Sequence, residues 1–185
     1  KFTFSDPPPS IQVTAPNGGE AWYMGETHSI TWTHAGISDA QTVHIVLLQN
    51  DTIVGTIAED IPITNHTYSW TVGQYNGGTA SAASNYKIRV ETMDYLYQDI
   101  SNANFTILNP TLTLTAPNGG QVLNVGSTYN ITWTSRGDVS NVWLQYSTDN
   151  GISWKNITTS TANDGSYTWT VPNDPSSQCL VRITD

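Results

Sequence analysis

The chain carries one sequence pattern twice, and this internal repeat constrains the fold more than any other feature. The segment Thr14–Glu20 reads TAPNGGE and returns as TAPNGGQ at Thr115–Gln121. In each repeat the sequence ITWT follows, ending at Thr33 and at Thr134. Later landmarks recur in the same order, so we predict two domains of one fold, each with its own small core.

Short alternating segments rich in β-branched and aromatic residues recur along the chain, and helical periodicity is nowhere sustained. The strands predicted in the first repeat lie near Ile11–Ala15, His28–Thr33, Thr42–Gln49, Thr52–Ile57, His66–Val72, Tyr86–Thr92 and Asn104–Ile107. Those predicted in the second lie near Leu112–Ala116, Tyr129–Thr134, Val142–Ser147, Ser153–Thr158, Ser166–Val171 and Gln178–Thr184. This pattern predicts an all-β fold of two tandem immunoglobulin-like β-sandwich domains.

Proline-rich linkers suggest the domain boundaries. Residues 1–10 are interpreted as an N-terminal strand and a stiff linker, 11–108 as the first domain, and 109–185 as the second. In each domain an isoleucine and a tryptophan two residues later share one face of a strand. The two tryptophans are Trp32 and Trp133. We expect both indole rings to fill the core between two sheets.

The second domain is predicted to lack its own last strand. The first repeat ends with the alternating strand Phe105–Ile107, and no counterpart follows Ile183. The same apolar-polar-apolar pattern occurs near the start of the chain, which predicts a donor strand that completes an unpaired sheet edge. The predicted donor residues are Phe2, Thr3 and Phe4. The predicted acceptor edge consists of Cys179, Val181 and Ile183.

Cys179 is the only cysteine, which excludes a disulfide within the chain. It stands where the first repeat has Tyr86, and it alternates with Val181 and Ile183. We expect its thiol to be buried in the core, and a reactive or intermolecular thiol is the alternative.

The pattern PNGG, followed by a further glycine and then ITW, runs from Pro16 to Trp32 and from Pro117 to Trp133. It resembles the Ser/Thr-rich surface-anchored family, whose immunoglobulin-like domain also occurs in fungal cell-wall glucan synthesis proteins and in bacterial and archaeal surface proteins. The resemblance implies immunoglobulin-like domains and an extracellular or cell-surface location. It does not point to a catalytic site, because the motif residues are turn and core residues. One departure is Leu123, where the first repeat has Trp22.

Charge and composition narrow the choice of partners. A formal net charge of −9 with 6 basic residues argues against nucleic acid and anionic membranes. No apolar run is long enough to insert into a membrane. Sequons of the form N-x-S/T mark candidate N-glycosylation sites of an extracellular glycoprotein. These are Asn50, Asn65, Asn104, Asn130 and Asn156.

Motifs that carry chemistry are scarce. The segment Ser147–Trp154 resembles the Asp box of sialidases and other β-propellers, and a single such box predicts a hairpin staple. The histidines have no metal-binding spacing, and we expect them to be solvated. They are His28, His34, His44 and His66. Because no nucleophile elbow or phosphate loop is present either, we predict no enzyme, metal or cofactor.

The resulting prediction is an extracellular structural protein, a subunit or repeat of a head-to-tail surface filament or stalk joined by β-strand complementation. Its partners are then copies of itself or neighbouring repeats of the same polypeptide. The alternative is a carbohydrate-binding or spacer module of a larger secreted protein, with polysaccharide as a partner. Aromatic side chains of this kind either stack on sugars or pack at an interface. The candidate sugar platform comprises Tyr75, Tyr95, Tyr97 and Trp143.

Overall fold

The computed structural model describes residues 8–185, which form an all-β protein. The chain divides into two compact units, unit 1 ending at Asn109 and unit 2 spanning Pro110–Asp185. This division lies next to the domain boundary predicted between 108 and 109. The predicted donor residues Phe2, Thr3 and Phe4 lie outside the described residues.

Unit 1 is a sandwich of two sheets. Its strands are β1 (Ser10–Ala15), β2 (Ala21–Tyr23), β3 (Thr27–Ala35), β4 (Thr42–Gln49), β5 (Thr52–Pro62), β6 (Thr67–Thr71), β7 (Gln74–Tyr75), β8 (Gly78–Thr79), β9 (Ala83–Thr92), β10 (Gln98–Ile100) and β11 (Phe105–Leu108). One sheet has the order β1-β3-β6, and the other has the order β2-β11-β9-β4-β5 with β10 beside β9. A 3₁₀ turn at Ile63–Asn65 and a small β7-β8 hairpin complete the unit.

Unit 2 repeats this plan with smaller sheets. Its strands are β12 (Thr111–Ala116), β13 (Thr128–Arg136), β14 (Asn141–Ser147), β15 (Lys155–Ala162), β16 (Ser166–Thr170) and β17 (Leu180–Thr184). The sheets have the orders β12-β13-β16 and β15-β14-β17. By position in the repeat, β12, β13, β14, β16 and β17 correspond to β1, β3, β4, β6 and β9 of unit 1.

The two predicted core tryptophans are buried, as expected. Trp32 is 1% exposed and Trp133 is 3% exposed. Each indole N–H also has a partner, as buried polar groups require. Trp32 donates to the carbonyl of Ile63 at 2.9 Å, and Trp133 donates to Oδ1 of Asn163 at 2.7 Å.

The PNGG segments form the predicted sharp turn in both units. Gly18 and Gly19 have φ angles of 128° and 86°, and Gly119 and Gly120 have 109° and 77°. Only glycine adopts such angles without steric cost, which explains why the glycine pair occurs in both repeats.

All strands predicted within residues 11–185 have an observed counterpart, whereas β2, β7, β8 and β10 were missed. These strands have only two or three residues, too few for alternation to be visible in the sequence. Strand β5 runs to Pro62, beyond the predicted end at Ile57. Bulges in its pairing with β4 interrupt the alternation there.

Candidate functional site

In unit 1 the strand β11 lies between two neighbours and closes the sandwich. It pairs antiparallel with β9, where Phe105 is opposite Tyr86. Along its other side it pairs in parallel with β2, where Ile107 is opposite Trp22. Phe105 and Ile107 are both fully buried. The two inward side chains of β11 therefore become part of the core.

Phe105 is the centre of an aromatic cluster. Its ring centroid lies 5.6 Å from that of Trp22, 6.1 Å from that of Trp70 and 6.0 Å from that of Tyr86. The contacts are tilted or edge-on, the geometries that aromatic pairs prefer. One side chain of β11 thus ties together residues from three other strands.

The corresponding edge of unit 2 is open in the described part of the chain. Strand β17 pairs with β14 along one side and has no strand on the other. Val181 and Ile183 of the predicted acceptor edge pack against the core but are only half-buried. Trp169, the counterpart of the buried Trp70, is half-buried too. The side chains that β11 covers in unit 1 are therefore accessible to solvent in unit 2.

The prediction that Cys179 is buried was wrong. Cys179 is exposed and lies just before β17, with its thiol 3.4 Å from the carbonyl of Ser176. In unit 1 the strand β9 begins earlier, at Ala83, because β11 pairs with that part of it. Without such a partner β17 begins only at Leu180, and the residue in the position of Tyr86 is left outside the core.

A cavity of about 190 Å³ extends this open edge at the other end of β17. It corresponds to the place where β10 lies beside β9 in unit 1. The lining residues are Pro110, Thr111, Leu112, Val139, Ile183, Thr184 and Asp185. The accessible surface thus runs along the whole free side of β17.

The four aromatics of the candidate sugar platform are not brought together. Tyr75 packs closely over Gly55 and Gly78, and Tyr97 packs against the core of unit 1. Tyr95 is 65% exposed in the loop between β9 and β10. Trp143 is 38% exposed and belongs to unit 2. No single platform of these four residues exists within either unit.

Trp143 instead belongs to a different row of side chains on the outer face of β14, β15 and β17. Its indole N–H and the amide of Gln145 both donate to Oδ1 of Asn156, each at 3.0 Å. Nε of Arg182 donates to Oε1 of Gln145 at 2.8 Å. The guanidinium of Arg182 also lies 4.2 Å from the ring centroid of Trp154. Sequence reasoning singled out Trp143 but missed the row, because its other members come from β14, β15, β17 and the turn before β15.

The Asp-box segment forms the predicted staple of the β14-β15 hairpin. The carboxylate of Asp149 accepts hydrogen bonds from the Ser153 amide at 2.9 Å and from the Ser147 hydroxyl at 2.7 Å. Gly151 takes a φ of 87° and donates its N–H to Ser147 at 2.8 Å. Hydrogen bonds from the Ser153 side chain and backbone, followed by that from Ser147, lower the pKa of Asp149 from 3.8 to about 2.

Two of the histidines are not solvated as predicted. The His34 side chain is 9% exposed, with Nδ1 3.1 Å from Nε2 of His66 and Nε2 3.1 Å from Oδ1 of Asp39. The His44 side chain is 13% exposed and lies 3.1 Å from the buried carboxylate of Glu91. Within residues 8–185, no group of three or more His, Cys, Asp or Glu is arranged to hold a metal ion.

All five sequon asparagines are exposed, so each is accessible for glycan attachment. They lie at Asn50, Asn65, Asn104, Asn130 and Asn156. No helix in the described part of the chain has the length and apolar character to cross a membrane.

Comparison with known proteins identifies the domain type. The sequence profile described as the Kre9/KNH-like N-terminal Ig-like domain matches residues 15–107 and again residues 116–179. No curated protein sequence matches the chain.

Several solved structures are similar to the chain. The fibronectin(III)-like modules of Clostridium thermocellum CbhA share 21% identity over 87% of this chain and 78% of theirs, with a TM-score of 0.29. Extracellular domains 3-5 of Drosophila OTK share 11% identity over 92% and 67%, with a TM-score of 0.33. The I9-I11 tandem of titin shares 9% identity over 95% and 62%, with a TM-score of 0.39.

Proposed function

Because this chain belongs to the Kre9/KNH-like Ig-like domain family, we propose that it is an extracellular structural module whose copies join head to tail by β-strand complementation. In this proposal a strand from another molecule, or from a neighbouring repeat of the same polypeptide, occupies the open edge beside β17. The observation that carries the proposal is the contrast between Trp70, which is 2% exposed, and the half-buried Trp169.

The candidate donor is the segment Phe2-Thr3-Phe4. It has the apolar-polar-apolar alternation of Phe105-Thr106-Ile107. The two apolar residues of that strand, Phe105 and Ile107, are fully buried between β9 and β2. Burying two phenylalanines contributes about 1.5–3 kcal/mol each, and pairing of the strand backbone adds to this. A donor at one end of a molecule and an acceptor in its other unit form a heterologous contact, which extends into a filament.

Light scattering and negative-stain electron microscopy of the purified chain test this proposal. We expect end-to-end oligomers whose mass grows with concentration. A Phe2→Ser/Phe4→Ser variant should stay monomeric, while the Thr3→Ser control on the opposite strand face should assemble like the wild type. Equal assembly of the Phe2→Ser/Phe4→Ser variant would contradict the donor role of this segment.

A second candidate function is carbohydrate binding, and the row that includes Trp143 favours it. An exposed indole ring held by Asn156, on the same face as the guanidinium of Arg182, combines a stacking face with a planar hydrogen-bonding group. Retention of the chain in affinity electrophoresis with soluble glucan or chitin tests this alternative. A monomeric chain that is retained would favour it over assembly.

A further inference from the structure

One segment of the repeat adopts different structures in the two units. In unit 1, Ala21–Tyr23 forms β2 and pairs in parallel with β11. The corresponding residues of unit 2, Val122–Asn124, form no strand, although a glycine pair precedes both segments and a glycine follows shortly after each. Val122 is 91% exposed, and its counterpart Ala21 in β2 is exposed as well. In unit 1 the segment has β11 beside it, whereas in unit 2 no strand of the described residues lies there.

In unit 2, this segment has backbone groups that correspond to those bonded to β11 in unit 1. In unit 1 the Thr106 amide donates to the carbonyl of Glu20 at 2.8 Å, and the Met24 amide donates to the carbonyl of Leu108 at 2.9 Å. Their counterparts, the carbonyl of Gln121 and the amide of Val125, make no backbone hydrogen bond within the described residues. By position in the repeat, the free side of β17 and the segment Gln121–Val125 correspond to β9 and β2, the two strands between which β11 lies in unit 1. The space between them is called the slot below.

The side chains that border the position of β11 differ in size between the two units. The large residues Trp22 and Tyr86, which contact Phe105 in unit 1, correspond to the smaller Leu123 and Cys179 in unit 2. The side chains that border the slot of unit 2 are therefore smaller than those that border β11 in unit 1. The candidate donor differs from β11 in the opposite direction, because its Phe4 is larger than the corresponding Ile107 of β11.

We propose that residues 2–4 of another molecule insert between β17 and Gln121–Val125, and that the contact of Phe4 with Leu123 selects this strand by size. This inference rests on the proposed function and specifies its partner and register. By the register of β11, Phe2 lies opposite Cys179 and Phe4 lies opposite Leu123, where unit 1 pairs Ile107 with Trp22. Docking converts Val122–Asn124 into a strand that pairs in parallel with the donor.

The size match also explains how wrong insertions are avoided. In the place of β11 in unit 1, a Phe-Thr-Phe segment would put a larger side chain at the position of Ile107, which is fully buried opposite Trp22. Overpacking of this kind is destabilising, as is the cavity left by a donor that is too small. Specificity thus arises from a clash in one unit and a cavity in the other.

A compensating pair of substitutions in the full chain tests this proposal by light scattering. We expect Phe4→Ile and Leu123→Trp each to weaken assembly by roughly tenfold, and the double variant to recover most of that loss. If the double variant assembles no better than the single variants, while Phe2→Ser/Phe4→Ser abolishes assembly, the size match is refuted and the proposed function stands. If the wild-type chain does not assemble at all, both fail.

Hydrogen exchange of the wild-type chain provides a readout that needs no variant of the slot. The amides of Val122–Val125 should gain protection on assembly, to a level near that of Ala21–Met24. Unprotected amides in assembled material would refute the two-sided slot. Protection of these amides in a strictly monomeric sample would refute donation by another molecule, because the chain would then supply the strand to itself.

Discussion

The ring of Phe105 packs against that of Tyr86 at a centroid distance of 6.0 Å, from directly opposite positions of two antiparallel strands. In unit 2 the position of Tyr86 is occupied by Cys179, the only cysteine, which is exposed. A residue that occupies the place of Phe105 beside unit 2 would therefore lie opposite a free thiol. This relationship makes the proposed assembly accessible to cross-linking.

A Phe2→Cys variant should form a disulfide with Cys179 of another molecule. Opposite residues of an antiparallel pair have Cβ atoms about 4.5–5.5 Å apart, close to the spacing that a disulfide needs. Under mild oxidation we expect a ladder of covalent oligomers on a non-reducing gel. The Thr3→Cys variant places its thiol on the opposite strand face, so it should give far less product. Loss of the ladder in Phe2→Cys/Cys179→Ser would verify the partner thiol.

Replacement of Phe105 by alanine should destabilise unit 1. The side chain is fully buried among three aromatic rings, and such Phe→Ala changes cost about 3–5 kcal/mol. Hydrogen exchange of the β9 amides in increasing urea measures this loss. The conservative Thr106→Ser change on the same strand should cost much less. A loss below about 1 kcal/mol for Phe105→Ala would mean that β11 contributes little to the core.

Much of this architecture could be predicted from the sequence. The repeat, the strand pattern and the core positions of Trp32 and Trp133 depend on local alternation, which a single sequence shows directly. The exposure of Cys179 could not be predicted, because it depends on whether a strand distant in sequence pairs beside it. In the same way, Ala21–Tyr23 is a strand that pairs with the distant β11, whereas Val122–Asn124, which has no such partner in the described residues, is not a strand.

The candidate site residues likewise divide into those that a local segment reveals and those that depend on distant segments. The Asp box was recognised because the contacts among Ser147, Asp149 and Ser153 lie within one hairpin. The burial of His34 against His66 was missed, because these residues come together only when distant segments pack. The aromatics of the candidate sugar platform were selected because they stand in turn-like segments or, for Trp143, on the outer side of a strand. Such local signals do not show which side chains meet, and the row around Trp143 became visible only once the strands of its sheet were aligned.

Asp149 should make the stability of unit 2 depend on pH in the acid range. Its pKa is lowered to about 2 by the hydrogen bonds from Ser153 and Ser147. A carboxylate whose pKa is lower in the folded state than in the unfolded state stabilises the fold at pH values above the unfolded pKa. That stabilisation is lost as the pH falls from about 4 through about 2. Hydrogen exchange of the β14 and β15 amides should therefore show Asp149→Asn to be less stable than the wild type at pH 7, with the difference disappearing near pH 2. A difference independent of pH would rule out the ionised carboxylate as its cause.

Replacement of Trp143 by alanine separates the two candidate functions. The indole is 38% exposed on the outer face of its sheet, away from Val181 and Ile183, which pack against the core. Its loss should therefore leave assembly unchanged and cost little stability, within about 1 kcal/mol for a surface residue that loses one hydrogen bond. If unit 2 binds polysaccharide through this face, the same change should abolish retention in affinity electrophoresis. Tyr95→Ala, which removes an aromatic of greater exposure from unit 1, serves as the matched control and should leave retention intact. Retention lost in both variants, or in neither, would exclude the Trp143 row as the sugar-binding surface.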